Sequence, residues 1–112
     1  GYHTVGSING RLSDMLVDTG ASAVAMSEVE ARRLGVGYRV TGEPIAVNTA
    51  SGVSQGYAVT LDRVRVGEIE LVNVPAIVIQ GSSPQQVLLG MSFLGRVEMR
   101  HQGSVLLLRE KY

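Results

Sequence analysis

The sequence has 112 residues, with ten basic and ten acidic side chains and a formal net charge of zero. This length predicts one domain over residues 1–112. The neutral charge argues against a nucleic-acid or acidic-membrane partner, since both favour a basic excess. The chain has no cysteine, which excludes a thiol nucleophile, a disulfide and a thiolate metal site. Its two histidines, His3 and His101, are far apart, so we expect no metal site. We also expect no cofactor.

The first third of the chain predicts a hairpin, a short strand and a helix. Asn9-Gly10 separates predicted strands over residues 2–8 and 11–17, and this dipeptide is the strongest two-residue hairpin signal because both positions tolerate positive φ. A strand of small residues is predicted over 21–26. A helix over 28–34 should follow, with Ser27 as N-cap and Glu30 completing a capping box, and end at Gly35. On this helix we expect Val29 and Leu34 to face the core, and Glu28, Arg32 and Arg33 to face water.

The remaining two thirds read as a succession of short strands. A long hairpin is predicted from residues 45–47 and 57–61, and its tip is small and polar, hence mobile. Many short strands separated by glycine turns are typical of a closed or sandwiched all-β structure. We predict further strands over 63–66, 68–72, 74–79, 87–89, 97–101 and 104–109, with a helical turn over 91–94.

One segment of the chain carries recognisable chemistry. An apolar strand, residues 15–17, leads directly into Asp18-Thr19-Gly20. A carboxylate at this place would leave the core at a fixed angle, and Gly20 would let the backbone approach a substrate or a second copy of the chain. Taken alone, the tripeptide is weak, because an aspartate that caps a strand or turn is common. The residues around the tripeptide decide whether Asp18 is a capping residue or a catalytic one.

Aspartic proteolysis needs two carboxylates that share one proton, one as general base and one as general acid. The chain has three aspartates, Asp14, Asp18 and Asp62. Asp14 would lie more than about 10 Å from Asp18 along an extended strand, and Asp62 stands beside basic residues in a solvated strand. A second chain is the remaining source of the partner carboxylate, because a twofold axis brings a residue beside its own copy. We therefore expect a homodimer, with the terminal strands as the edges that pair across the axis.

About seventy residues after Asp18 comes a second motif, Leu88-Leu89-Gly90-Met91-Ser92-Phe93-Leu94. Together with Val17-Asp18-Thr19-Gly20-Ala21-Ser22 and the hairpin between them, it resembles the retropepsin-like aspartic proteases. The resemblance is closest to bacterial single-domain members with an Asp-Thr-Gly-Ala motif, and it spans nearly the whole chain. It implies an all-β, closed-barrel-like single lobe with one or two short helices and a β-hairpin flap.

The resemblance also implies residue roles. Asp18 would be the catalytic acid and base, Thr19 would form a hydrogen-bonded contact across the dimer axis, and Leu88, Leu89 and Gly90 would support the catalytic loop from behind. Gly20, Ala21 and Ser22 would complete that loop beside the cleft. This flap departs from retroviral ones, since it lacks their run of glycines and has its tyrosine, Tyr57, in the returning strand. The flap tip over a bound polypeptide would consist of Asn48, Thr49, Ala50, Ser51, Gly52 and Val53.

Three alternatives remain open from the sequence. The domain could be a catalytically silent binding or dimerisation module, an active site that stays monomeric and inactive in isolation, or an unrelated barrel with a chance tripeptide. The chain begins at Gly1 rather than methionine, so we expect a fragment of a longer protein. Bacterial relatives often carry an N-terminal membrane anchor. An anchor outside this chain would place the domain at the inner membrane facing the periplasm.

Overall fold

A computed structural model describes residues 2–103 and 105–111, with the side chain of His101 left out. None of the helices in these ranges is long and apolar enough to span a membrane. The predicted strand over 104–109 begins at a residue outside the described ranges. In chain order the elements are β1 (Tyr2–Ile8), β2 (Arg11–Val17), β3 (Val24–Ser27), α1 (Glu28–Arg33), α2 (Tyr38–Thr41), β4 (Glu43–Thr49), β5 (Gly52–Val66), β6 (Ile69–Ile79), β7 (Val87–Leu89), α3 (Met91–Leu94), β8 (Val97–Gln102) and β9 (Val105–Glu110).

Six strands close into a barrel. They are hydrogen-bonded in the order β1-β2-β7-β3-β6-β5, and β5 returns to pair with β1. The pairs β2–β7 and β3–β6 are parallel, whereas the other neighbours are antiparallel. Strand β4 extends the sheet beyond β5, and β8 and β9 form a separate two-stranded ribbon. The predicted all-β, closed-barrel-like lobe is therefore confirmed.

The barrel interior holds the hydrophobic core. Alternate residues of the long strands point inward, as the period of two in a β-strand requires. Phe93 of α3 and Met15 of β2 are fully buried there, and each such side chain stabilises the fold by about 1.5–3 kcal/mol through burial. The remaining large side chains with less than 2% exposure are Ile8, Met26, Leu34, Leu61, Leu89, Leu94, Val24, Val64, Val74 and Val78.

The first hairpin has the register that its turn predicts. Ile8 pairs with Arg11, and Tyr2 pairs with Val17 at the open end. Asn9 and Gly10 take φ values of 51° and 87°, the positive angles that a two-residue turn of this kind needs. The turn thereby fixes which face of β2 is buried, and so fixes the direction in which the chain leaves the barrel after Val17.

Helix α1 begins as predicted but turns a different face inward. The Ser27 hydroxyl oxygen accepts a hydrogen bond from the Glu30 N–H at 3.1 Å, which confirms the N-cap. The predicted orientation is wrong at two positions, because Glu28 is buried with 8% exposure whereas Val29 is 53% exposed. A carboxylate tolerates this burial only when its oxygens are hydrogen-bonded, and both oxygens of Glu28 are.

Four other elements differ from the sequence prediction: β3, β5, β6 and α2. Strands β5 and β6 each run without a break where two strands were predicted, and Asn73 is accommodated within β6 at a φ of 54°. The strand predicted over 21–26 begins only at Val24, because residues 21–23 belong to the loop that follows β2. Helix α2 is an additional single turn between α1 and β4. Strands β5 and β6 are longer than the local sequence indicates because pairing with neighbouring strands outweighs weak local breaks.

Candidate active site

Asp18 is the first residue after β2, and backbone hydrogen bonds hold it at the barrel rim. Its N–H donates to the Leu89 carbonyl at 3.2 Å, and its own carbonyl accepts from the Ala21 N–H at 3.2 Å. The Gly20 N–H donates to Oδ1 of the carboxylate at 2.9 Å. Oδ2 has no hydrogen-bond partner within the described ranges. The half-buried carboxylate is thus oriented through one oxygen while the other is open.

Strand β7 supports both ends of the Asp18 loop. It lies parallel to β2, with Val17 beside Leu89, and it meets β3 where Ala25 pairs with Leu88. The loop between β2 and β3 therefore starts and finishes on the same three-residue strand. The structure places Leu88 and Leu89 behind Asp18, where the resemblance implied them, although their part in catalysis stays a prediction.

Gly90 continues this support by close contact with the loop. An added Cβ would lie 2.6 Å from the Ala23 carbonyl carbon and 2.8 Å from the Ala21 oxygen, closer than real Cβ atoms approach. The next residue, Met91, donates its N–H to the same Ala21 oxygen at 2.8 Å. A side chain at position 90 would therefore push the loop away from the strand that holds it.

Ser92 is a supporting residue to which the sequence assigned no role. Its hydroxyl accepts a hydrogen bond from the Val24 N–H at 2.9 Å and donates one to the Pro75 carbonyl at 2.6 Å. One side chain on α3 thus joins the start of β3 to β6, just beyond the Asp18 loop. Its position in the Leu-Leu-Gly-Met-Ser-Phe-Leu segment was the available signal, but neither hydrogen-bond partner can be identified from sequence.

We expect Ser92→Ala to destabilise the protein by about 1–3 kcal/mol, since it leaves the Val24 N–H and the Pro75 carbonyl without this partner. Urea unfolding followed by circular dichroism measures the change. Ser82→Ala, in an exposed loop, is the matched control and should change stability by less than about 0.5 kcal/mol. Equal stability of the two variants would contradict the role assigned to the Ser92 hydroxyl.

The other residues of the predicted loop face solvent. Thr19, Gly20 and Ser22 are exposed, and Ala21 is half-buried. The Thr19 hydroxyl has no partner in the part of the chain that the structure describes. It is free to bond to a second molecule, although the contact across a dimer axis stays a prediction.

The predicted flap is a regular hairpin. Strands β4 and β5 pair from Glu43 with Ala58 as far as Thr49 with Gly52, and Ala50 and Ser51 form the tip. The Thr49 hydroxyl closes the turn by donating to the Gly52 carbonyl at 2.9 Å. No hydrogen bond or ion pair among the described residues joins the tip to the Asp18 loop. The hairpin is confirmed, and its closure over a substrate stays a prediction.

The acidic residues that the structure describes outside the Asp18 loop are either exposed or hydrogen-bonded to other side chains. Within the described ranges, no group of three or more histidine, aspartate or glutamate side chains could hold a metal ion. Asp14 and Asp62 are both exposed, on β2 and β5. Glu30 bonds to the Ser13 hydroxyl at 2.7 Å and to Arg33, which lowers the pKa of its carboxyl chiefly through the Arg33 hydrogen bond.

Comparison with known proteins points to one family. The family described as "gag-polyprotein putative aspartyl protease" matches residues 4–96. A Sinorhizobium sp protein, described as an uncharacterized protein in the cobV 5' region, is 36% identical over 98 residues, which are 88% of this chain and 42% of that protein. This chain thus spans less than half the length of that curated relative.

Similarity in structure agrees with similarity in sequence. A retropepsin-like aspartic protease from Rickettsia conorii has a TM-score of 0.77 and 30% identity to this chain, and the match covers 96% of this chain and 88% of the other. Because the family match runs from β1 past α3 and the structural match covers nearly every residue, this chain belongs to the retropepsin-like aspartic protease family.

Proposed function

We propose that the domain is an aspartic endopeptidase in which Asp18 and the Asp18 of a second copy activate one water molecule. The observation that carries the proposal is the half-buried Asp18 carboxylate, which the Gly20 N–H orients at Oδ1 and whose Oδ2 has no partner among the described residues. The exposed aspartates on β2 and β5 offer no second carboxylate at this loop. Membership of the aspartic protease family supports the same assignment.

The reaction divides one proton between the two carboxyl groups. The ionised carboxylate takes a proton from water, whose oxygen attacks the scissile carbonyl carbon, while the protonated carboxyl donates its proton to the carbonyl oxygen. The tetrahedral gem-diol then collapses, the amide nitrogen is protonated and leaves as an amine, and the second product carries a carboxyl group. A polypeptide in extended form would bind beneath the flap through backbone hydrogen bonds.

The β8–β9 ribbon offers apolar surface for the second copy. Val105 and Leu107 lie on the same face of β9 and are 52% and 43% exposed. Both side chains line a cleft that separates β9 from Tyr2 and Val17, the residue immediately before Asp18. A strand of a second copy placed along β9 would therefore lie close to the Asp18 loop. The reaction needs one Asp18 carboxylate from each copy. The exposed apolar side chains of β9 and their position near Asp18 support the terminal strands as the edges that pair in the dimer.

The test compares proteolytic activity with the fraction of dimer as the protein concentration is varied. An unfolded protein substrate is incubated with the domain from acid to neutral pH at protein concentrations spanning about a thousandfold, and sedimentation at each concentration gives the dimer fraction. We expect specific activity to rise in proportion to the dimer fraction. Activity that stays constant while the dimer dissociates would contradict the shared site. Absence of cleavage by a demonstrated dimer would favour a binding or dimerisation module instead.

A further inference from the structure

Glu28 is a buried charge that the proposed chemistry does not use. Among the described residues it is the only charged residue that is buried, with 8% exposure. It stands at the first position of α1, ten residues beyond Asp18 in sequence. Burying a carboxylate is costly unless it is fully hydrogen-bonded, so the partners of Glu28 indicate what the fold gains from it.

The two carboxylate oxygens bind two different segments. Oε1 accepts a hydrogen bond from the Gly81 N–H at 3.0 Å, in the loop between β6 and β7. Oε2 accepts one from the Tyr38 hydroxyl at 2.9 Å, and the Arg39 guanidinium lies 3.4 Å away. One side chain on α1 therefore fixes α2 and the loop after β6 at the same time.

Both segments also contact the returning strand of the flap. Gln80, beside Gly81, donates its N–H to the Gln55 carbonyl at 2.9 Å. The Tyr38 ring packs against the Tyr57 ring, with centroids 5.2 Å apart. Glu28 is therefore connected to β5 by two routes. The segment bound to Oε1 contacts residue 55, and the residue bound to Oε2 contacts residue 57.

These two contacts flank the point where the flap leaves the barrel. Gly56 is the first residue of β5 that pairs with β6, opposite Ile79, whereas residues 52–55 pair only with β4. At Gly56 the strands are so close that an added Cβ would lie 2.8 Å from both the Val47 side chain and the Val78 carbonyl oxygen. Any swing of the hairpin relative to the barrel must be accommodated around this residue.

We infer that Glu28 is a positioning residue that holds the base of the flap, through Gly81 and Gln80 on one side and through Tyr38 on the other. This inference rests on the proposed function for the flap's role in substrate binding. On this inference, Glu28 affects the affinity for substrate, whereas Asp18 performs the chemical step.

The hydrogen bonds of Glu28 keep its carboxyl ionised to a lower pH than that of an exposed glutamate. The Gly81 N–H, and after it the Tyr38 hydroxyl, lower the pKa of the Glu28 carboxyl below its ordinary value. A lowered pKa in the folded state means that the stability Glu28 contributes is complete above the ordinary glutamate range and is lost only as pH falls through the lowered value. The anchor therefore remains ionised where exposed glutamates already take up protons.

Amide hydrogen exchange tests the anchor without reference to activity. In Glu28→Gln, which keeps one acceptor and removes the charge, we expect amides in residues 43–58 to exchange roughly tenfold faster than in the wild type, relative to amides in residues 61–72. Glu30→Gln is the matched control, since Glu30 lies on the same helix but bonds to Ser13 and Arg33. Unchanged exchange over 43–58 in Glu28→Gln, or an equal rise in Glu30→Gln, would overturn the inference.

Kinetics test the functional half on the same variants. We expect Glu28→Gln to raise KM roughly three- to tenfold with kcat within about twofold of the wild type, and Glu30→Gln to change neither. A loosened flap with unchanged KM would overturn the link to substrate binding. Tyr38→Phe keeps the ring against Tyr57 and removes the hydroxyl, which donates to Glu28 and accepts from Arg32. It repeats both measurements if Glu28→Gln does not fold. If the wild type lacks proteolysis, the proposed function fails, while the exchange experiment still decides whether Glu28 anchors the hairpin.

Discussion

Asp18→Asn is expected to abolish proteolysis and leave the fold intact. Asparagine keeps the size of the side chain and an oxygen that can accept the Gly20 N–H, so the loop geometry survives. In a homodimer the change removes the general base and the general acid together. Each contributes about 10²–10⁴-fold, so activity should fall by at least about 10⁴-fold. The measurement is cleavage of an unfolded protein at a concentration where both forms are dimeric.

Circular dichroism and thermal unfolding provide the control for this substitution. Asp14→Asn on β2 is a matched variant, because Asp14 is exposed and lies on the strand that leads to Asp18. It should retain wild-type activity. Residual activity of the Asp18 variant near wild-type level, with the protein folded, would mean that another group performs the hydrolysis.

Mixing wild type with the Asp18→Asn protein distinguishes one active site shared by two copies from an independent active site in each copy. If each active site needs one Asp18 from each copy, wild type diluted into about nine equivalents of the Asp18→Asn protein pairs almost entirely with inactive partners. Activity per wild-type chain should then fall about tenfold after subunit exchange. Activity per chain that is unaffected by the excess variant would show that each chain works alone, contrary to the proposed dimer.

Local signals were enough for the parts of the fold that are local in the chain. The Asn9-Gly10 turn, the Ser27 cap and the 87–89 strand all follow from neighbouring residues, and the structure has each of them. The position of the Asp18-Thr19-Gly20 motif was equally local, since an apolar strand ended at Asp18. The resemblance to a family implied only that Leu88, Leu89 and Gly90 support the Asp18 loop. That β2 and β3 both pair with β7 was not predicted, because no periodicity indicates which strands are neighbours.

The errors arose where distant partners decide the outcome. A six-residue helix is too short for periodicity to define its buried face, so Val29 was assigned to the core and Glu28 to water. The partner that makes burial of Glu28 tolerable, the Gly81 N–H, is 53 residues away. Ser92 presents the same difficulty, since its partner Val24 is 68 residues away. Hydrogen bonds between residues so far apart in the chain leave no local sequence pattern.

Gly90→Ala is expected to be among the most damaging single-methyl substitutions in the domain. The new Cβ would meet backbone atoms of Ala21 and Ala23, which cannot rotate away as a side chain could. We expect a loss of about 3 kcal/mol or more in the free energy of unfolding. Because these two residues follow Asp18 in its loop, displacing them should also lower kcat by about a hundredfold in molecules that remain folded.

Gly37→Ala is the matched control for this substitution. Its Cβ would meet nothing within 4 Å, and its φ of −81° suits any residue. Urea unfolding of the two variants, followed by kinetics at a temperature where both are folded, separates the effect of the added methyl group from the effect of its position. If Gly90→Ala unfolds at the same urea concentration as Gly37→Ala, the close contact between β7 and the Asp18 loop does not exist in solution. If it is less stable but retains full kcat, the loop adapts and its support by Gly90 is structural alone.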